Sequence, residues 1–331
     1  MTFVNEATTS VADLLAKVNT FLGTTDGTWT VDHADAGAGK YAHSKGTTFL
    51  SWRFDTSAAT LFGVYNALGF IGTGTDPGNH TDDSGNGVVS GTNATLATGR
   101  TTFADGITQW WGFTDGNNFY GVVEAVSGAD TIYPVFGGGI LEKVGDWTGG
   151  EFGWGYRHKT GITSGNAVSL ETTMLLDGGC DFAGFEAFMA TIHVEGLPNQ
   201  RASKWAVCAG THANANTGND RAANLRNKVQ GGARGGPLPA PFARFSADSE
   251  KGLIPGYPIV PWYIDVTTGD VMVLGHVKNI RGFNMEHYVA GQEIVIGGDT
   301  WLAFPSRKKT TGASTLSGES GHQGWLYKKV V

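Results

Sequence analysis

Short β-prone runs punctuated by glycine turns recur along this chain, and that alternation limits its fold more than any other feature. The stretch Gly291–Val331 shows it most clearly. Gly297-Gly298-Asp299 separates two short apolar runs, Glu293–Ile296 and Thr300–Phe304, which is a hairpin signal. A Gly/Ser/Thr loop follows from Thr310 to Gly324. The aromatic segment Trp325-Leu326-Tyr327 comes next and is predicted to tuck into a sheet. Glycine supplies 51 of the 331 residues and charged residues only 16%. Low charge with high Gly, Thr and aromatic content fits a mainly β protein with many turns. The 10 Trp and 18 Phe argue for a packed core and against disorder.

The same pattern runs back through the chain. Strand-like segments are expected at Thr28–Val31, Thr47–Phe54, Leu61–Ile71, Thr108–Phe113, Asn118–Val126 and Ile132–Phe136. Asp115-Gly116-Asn117 marks a tight hairpin. In the strand around Trp52, Leu50, Trp52 and Phe54 share one face. Gly150–Tyr156 mixes glycine with aromatics, as strands do where another backbone approaches closely. Further strands are expected at Ile259–Val266, Val271–His276 and Arg281–Met285, with a turn at Thr267–Asp270. Asp181–Thr191 reads as a short helix or a strand pair, and Gly231–Pro241 as irregular. One clean helix signal stands out. Val11, Leu14, Leu15, Val18 and Leu22 fall at steps of three and four, with Phe21 extending the stripe. Thr9 or Ser10 can cap it, Asp13 lies in its first turn, and Gly23 is expected to end it.

The expected architecture is β-sandwich-like, with a short N-terminal helix and long Gly-rich loops. Three parts are expected: an N-terminal helical segment over 1–25, a β-rich domain over 26–160, and a second β-rich part over 161–331. The last has an irregular loop region around 210–245.

Charge and motifs narrow the function. A net charge of −7 gives no bulk attraction for nucleic acid. The basic cluster Arg221, Arg226, Lys228 and Arg234 reads as a solvated or subunit-bridging loop. Cys180 and Cys208 show no metal-binding spacing and read as buried free thiols, with their pairing left open. No segment has signal-peptide character and no apolar run approaches a membrane span. Gly37-Ala38-Gly39-Lys40 lacks the first glycine and the Ser/Thr of a phosphate loop. Gly318-Glu319-Ser320-Gly321-His322 has its second glycine one position too early for a nucleophile elbow. Asp76, Asp82, Asp83 and Asn86 crowd one loop with His80, at a spacing unlike that of an EF-hand. The nine histidines form no metal-binding motif. Two carboxylates meeting in space for glycoside hydrolysis stay open as a possibility. So does a sugar-stacking platform at Trp110-Trp111, against the reading that these neighbours point to opposite faces. No cofactor and no metal site is expected.

Four stretches carry a resemblance. They are VADLLAKVNTFL with Gly27–Trp29, then Asn117–Gly139, then Ile254–Ile264 leading into Gly275–Asn284, and finally Gly291–Ser306. In these the chain resembles virion structural proteins of tailed bacteriophages, found among neck, collar and tail components. The likeness covers under half of the chain and leaves Gly161–Arg244 unmatched. It implies a non-enzymatic subunit assembled in the host cytoplasm into a symmetric ring of the virion. Its partners would be further copies of itself and other neck or tail proteins, with no sequence-specific nucleic acid and no membrane span. Two alternatives accompany it: a tail-tip, fibre or capsid-decoration protein binding host-surface glycans, and a polysaccharide-degrading enzyme. Leu14, Leu15, Val18, Phe21, Trp301, Trp325 and Tyr327 are the expected assembly interface.

Overall fold

A computed structural model describes residues 2–37, 39–55, 61–67, 69–70, 80–81, 99–102, 106–127, 130–155, 188–197, 205–209, 225–226, 256–259, 262–264, 271–285, 287–305 and 323–329. Strand β1 (Thr2–Ala7) comes first, then helix α1 (Val11–Thr20), which runs on as a wider π-turn over Phe21–Asp26. The strands β2 (Thr30–Asp35), β3 (Lys40–Lys45), β4 (Thr48–Asp55) and β5 (Leu61–Ala67) follow. Two short strands, β6 (Gly69–Phe70) and β7 (His80–Thr81), pair with each other ahead of β8 (Gly99–Thr102). Next are β9 (Ile107–Asp115), β10 (Asn118–Ser127), β11 (Asp130–Ile132), β12 (Val135–Ile140), β13 (Glu142–Lys143) and β14 (Thr148–Gly155). The later strands are β15 (Phe188–Glu195), β16 (Trp205–Ala209), β17 (Leu225–Arg226), β18 (Tyr257–Ile259), β19 (Trp262–Ile264) and β20 (Val271–Val273). Four more close the chain: β21 (Gly275–Asn284), β22 (Gln292–Ile296), β23 (Asp299–Pro305) and β24 (Gln323–Lys329).

The fold is mainly β and layered. The central sheet runs β1-β9-β10-β12-β14-β15-β16, with β11 beside β10. On one side lie α1 and the sheet β2-β3-β4-β5-β8. On the other lies the sheet β13-β21-β24-β23-β22, with β18 paired to β21. Strand side chains alternate between faces, so the central sheet feeds two cores. Trp110, Phe119, Val123 and Phe136 join the helix-side core with Leu14, Leu15, Val18 and Trp52. Trp111, Phe113, Tyr120 and Val122 join the opposite core with Phe304, Trp325 and Tyr327.

Aromatic contacts mark both seams. The Trp52 ring meets Phe119 edge-on at 5.4 Å, and Phe21 meets Trp110 at 5.8 Å. Across the other seam, Phe113 stacks on Tyr327 at 5.1 Å and Trp111 meets Phe304 at 4.9 Å. Glycine in the central sheet makes room for these rings. A Cβ on Gly121 would sit 2.4 Å from the Phe136 ring, and one on Gly112 would sit 2.7 Å from Trp110.

The helix follows its sequence signals at its start. Ser10 has extended backbone and its hydroxyl accepts from the Asp13 N–H at 3.1 Å. Asp13 reaches back to accept from the Thr9 N–H at 3.1 Å, which closes a reciprocal cap. At the other end Gly23 does not stop the winding; the chain turns on to Asp26, and Gly27 ends it with φ +66°. A Cβ on Gly23 would lie 2.5 Å from Val31 Cγ2, so that glycine serves close approach of β2.

Within the segment 1–25 expected to be helical, residues 2–7 instead form the first strand of the central sheet, paired along β9. Asp181–Thr191 gives part of β15, with residues 181–187 outside the described residues. The closing aromatic segment lies inside a sheet, between β21 and β23. One core combines residues from Trp111 to Leu197 with residues from Leu274 to Tyr327.

Candidate functional site

Four clusters of polar side chains stand out among the described residues. The first is on β14 and β15. Strand register slips between Gly149 and Phe152, leaving Glu151 beside His193. The His193 ring contacts Glu151 Oε2 through Nδ1 and Glu195 Oε1 through Nε2, both at 2.7 Å. A ring flanked by carboxylate oxygens on both nitrogens donates twice, as an imidazolium. Burial pulls the His193 pKa down, but the hydrogen bonds and charges of Glu151 and Glu195 outweigh it and raise it. Glu151 is the mirror case: burial raises it, and its bonds to His193 and Thr47, with the His193 charge, bring it below the ordinary value.

The second cluster joins the β9–β10 turn to β13 and β21. Lys278 Nζ lies 3.2 Å from Asp115 and 3.7 Å from Glu142, and His276 Nε2 contacts Glu142 at 2.5 Å. Asn279 donates from its side chain to Asp115 and holds φ +60°, a left-handed conformation uncommon outside glycine. That kink turns the Lys278 carbonyl toward the Tyr120 hydroxyl, which donates to it at 2.8 Å. The two carboxylates sharing Lys278 are at most about 7 Å apart, inside the separation glycoside hydrolysis uses. The single ammonium facing both offsets only part of their combined charge.

The third centres on the buried His43 and Trp52. The Trp52 indole N–H donates to His43 Nδ1 at 2.9 Å, and His43 Nε2 bonds Asn19 Oδ1 at 3.0 Å. With Nδ1 accepting and Nε2 donating, His43 is neutral, and burial pushes its pKa down to about 3. In the fourth, Asp26 accepts from Thr2 at 2.8 Å, from Thr114 at 2.9 Å and from Thr28. It ties the end of the π-turn to β1 and β9. Most of these partners lie on other elements, so no local spacing signals them; Glu195, two residues from His193 on β15, is the exception.

The seven residues expected at an assembly interface lie elsewhere than on a surface. Leu14, Leu15, Val18 and Phe21 fill the helix-side core. Trp325 and Tyr327 fill the opposite core, and Trp301 packs with Phe283 and Leu326 on the outer sheet. All seven are buried by the chain itself, which corrects the expectation that they face another copy. The stripe that signals a helix face signals burial, and here its own sheet supplies the cover. Trp110 and Trp111 point to opposite faces, as strand geometry requires, and both are buried, so they form no sugar platform.

Gly37 and Gly39 lie in the turn between β2 and β3. The acidic loop at Asp76, Asp82, Asp83 and Asn86, the segment Gly318–His322, Cys180 and the irregular segment Gly231–Pro241 lie outside the described residues. So do Arg221, Lys228 and Arg234 of the basic cluster. Among the described residues no group of three His, Cys, Asp or Glu side chains is arranged to hold a metal ion. No helix among them is long and apolar enough to cross a membrane. Neither the protein-family models nor the curated proteins provide a match to this chain.

Proposed function

We propose that this chain is a non-enzymatic structural subunit that works as a symmetric homo-oligomer. The resemblance to tailed-phage virion proteins suggests the neck, collar or tail for that role, beside other virion proteins. One observation carries the reading: several buried and half-buried polar groups tie strands, turns and the helix end to one another. His193 bridges β14 and β15, Lys278 bridges the β9–β10 turn to β13, Asp26 joins the helix end to β1 and β9, and His43 links β3 to β4 and α1. Such cross-ties favour rigidity, which a repeated building block needs, since closed symmetry multiplies each contact around a ring. The resembling stretches supply much of this framework, including β10, β12, β21, β22 and β23.

Native mass spectrometry with negative-stain imaging tests the reading. A closed ring or other symmetric oligomer supports it, and a monomer under all conditions overturns it. The shared ammonium between Asp115 and Glu142 gives the enzymatic reading a concrete pair. Hydrolysis of a capsular polysaccharide that is lost in both Asp115→Asn and Glu142→Gln would replace the structural role with that one.

A further inference from the structure

Strand β22 is the last strand of the outer sheet. Among the described residues it has a neighbour, β23, on one side. A two-residue turn joins them, with φ +60° at Gly297 and +90° at Gly298, as in a type I′ hairpin. In that hairpin the pair next to the turn, Ile296 and Asp299, exchanges both backbone hydrogen bonds, and exchange then alternates along the ladder. Val295 opposite Thr300, and Glu293 opposite Leu302, fall in the non-exchanging pairs. Their N–H and C=O groups therefore point away from β23, to the open edge.

Among the described residues, that edge is least protected at Ile294–Ile296. Open strands commonly carry lysine, proline or a bulge that blocks pairing. This one reads Gln-Glu-Ile-Val-Ile and keeps one register with β23 from Gln292 to Ile296; the irregularity lies at its start, where Gly291 (φ +75°) donates its N–H to the Ala303 carbonyl. Val295 is 71% exposed, more than any other large hydrophobic side chain among the described residues.

The geometry points to antiparallel pairing of β22 with β22 of a second copy of this chain, about a two-fold axis at Val295. The sequence Ile294-Val295-Ile296 reads the same in both directions, so this register sets apolar against apolar throughout. Val295 faces its own counterpart and Ile294 faces the second copy's Ile296. The competing registers are worse. Centring on Glu293 sets two carboxylates directly opposite, and centring on Ile294 sets each Glu293 against a valine. In the favoured register Glu293 faces a glycine of the turn, and Lys329 of its own chain already pairs with it at 2.5 Å. The outer sheets of the two copies then become one continuous sheet. This contact rests on the homo-oligomer reading and names the surface that carries it.

A cysteine at position 295 tests the register directly. Residues facing each other in a hydrogen-bonded antiparallel pair have Cα atoms about 5.5 Å apart, within disulfide reach. With Cys180 and Cys208 replaced by serine, Val295→Cys is expected to give a covalent dimer under mild oxidation, and Val144→Cys, also exposed, is not. In sedimentation velocity, Val295→Lys and Val295→Pro should weaken self-association at least about ten-fold while leaving the circular dichroism unchanged. If the wild type assembles and neither variant weakens it, with no cross-link at 295, this contact is wrong while the homo-oligomer reading stands. A wild type that stays monomeric overturns both. Cross-linking of Val295→Cys only to a different protein would show that the edge receives a foreign strand, and would also overturn the self-pairing.

Discussion

Single side chains decide how this protein responds to pH. His43 accepts from Trp52 through Nδ1, so a proton there would face the indole N–H. Burial holds its pKa near about 3, against an unfolded value of about 6.5. Between those values the unfolded chain binds a proton that the folded chain does not, so stability rises with pH. Acidification below about pH 6.5 should therefore lower stability through this residue, by on the order of a few kcal/mol by pH 3. Urea unfolding at a series of pH values reads the slope, and a flat profile between pH 6 and 4 would contradict it. His193 has the opposite sign. Its raised pKa gives stability that is complete below the unfolded value and fades as pH climbs through the folded one. The Tyr327 hydroxyl is buried, with no hydrogen-bond partner among the described residues. Removing a buried unsatisfied hydroxyl relieves its desolvation cost, so Tyr327→Phe should leave stability unchanged or raise it by about 1 kcal/mol in thermal denaturation.

At the scale of elements, α1 was legible because its start is local chemistry. Ser10, Asp13 and the apolar steps of three and four lie within one short window, and each did what its spacing implied. Ser10→Ala should cost about 1 kcal/mol, measured by chemical denaturation, because the Asp13 N–H loses its acceptor. The helix end was not legible. Gly23 carries the ordinary stop signal, but its lack of a side chain is used by Val31 from β2. Hairpins were read well for the same reason as the helix start: Gly116 and Gly297 sit in the turns that their φ values of +55° and +60° require. Strand β1 was missed, because its burial comes from β9, more than a hundred residues away, and its own sequence alternates weakly.

Across the whole molecule the layers are set by what meets the central sheet. Gly121 lies under the Phe136 ring, so Gly121→Ala forces the helix-side layers apart or displaces the ring. The expected loss is about 1–3 kcal/mol in the unfolding free energy, with no change in the helix content seen by circular dichroism. An unchanged stability would mean that the layers have room that the close contact denies. By itself the sequence determined the β-rich class, the helix and its cap, the hairpin turns and the opposed directions of Trp110 and Trp111. All of these follow from backbone geometry acting over a few residues. Only the tertiary structure decided that both tryptophans are covered, that the helix stripe faces its own sheet, and that Glu151, Glu195 and His193 meet. Coverage and charge pairing depend on strands brought together from distant parts of the chain, and periodicity within one segment shows that a face will be buried without showing against what.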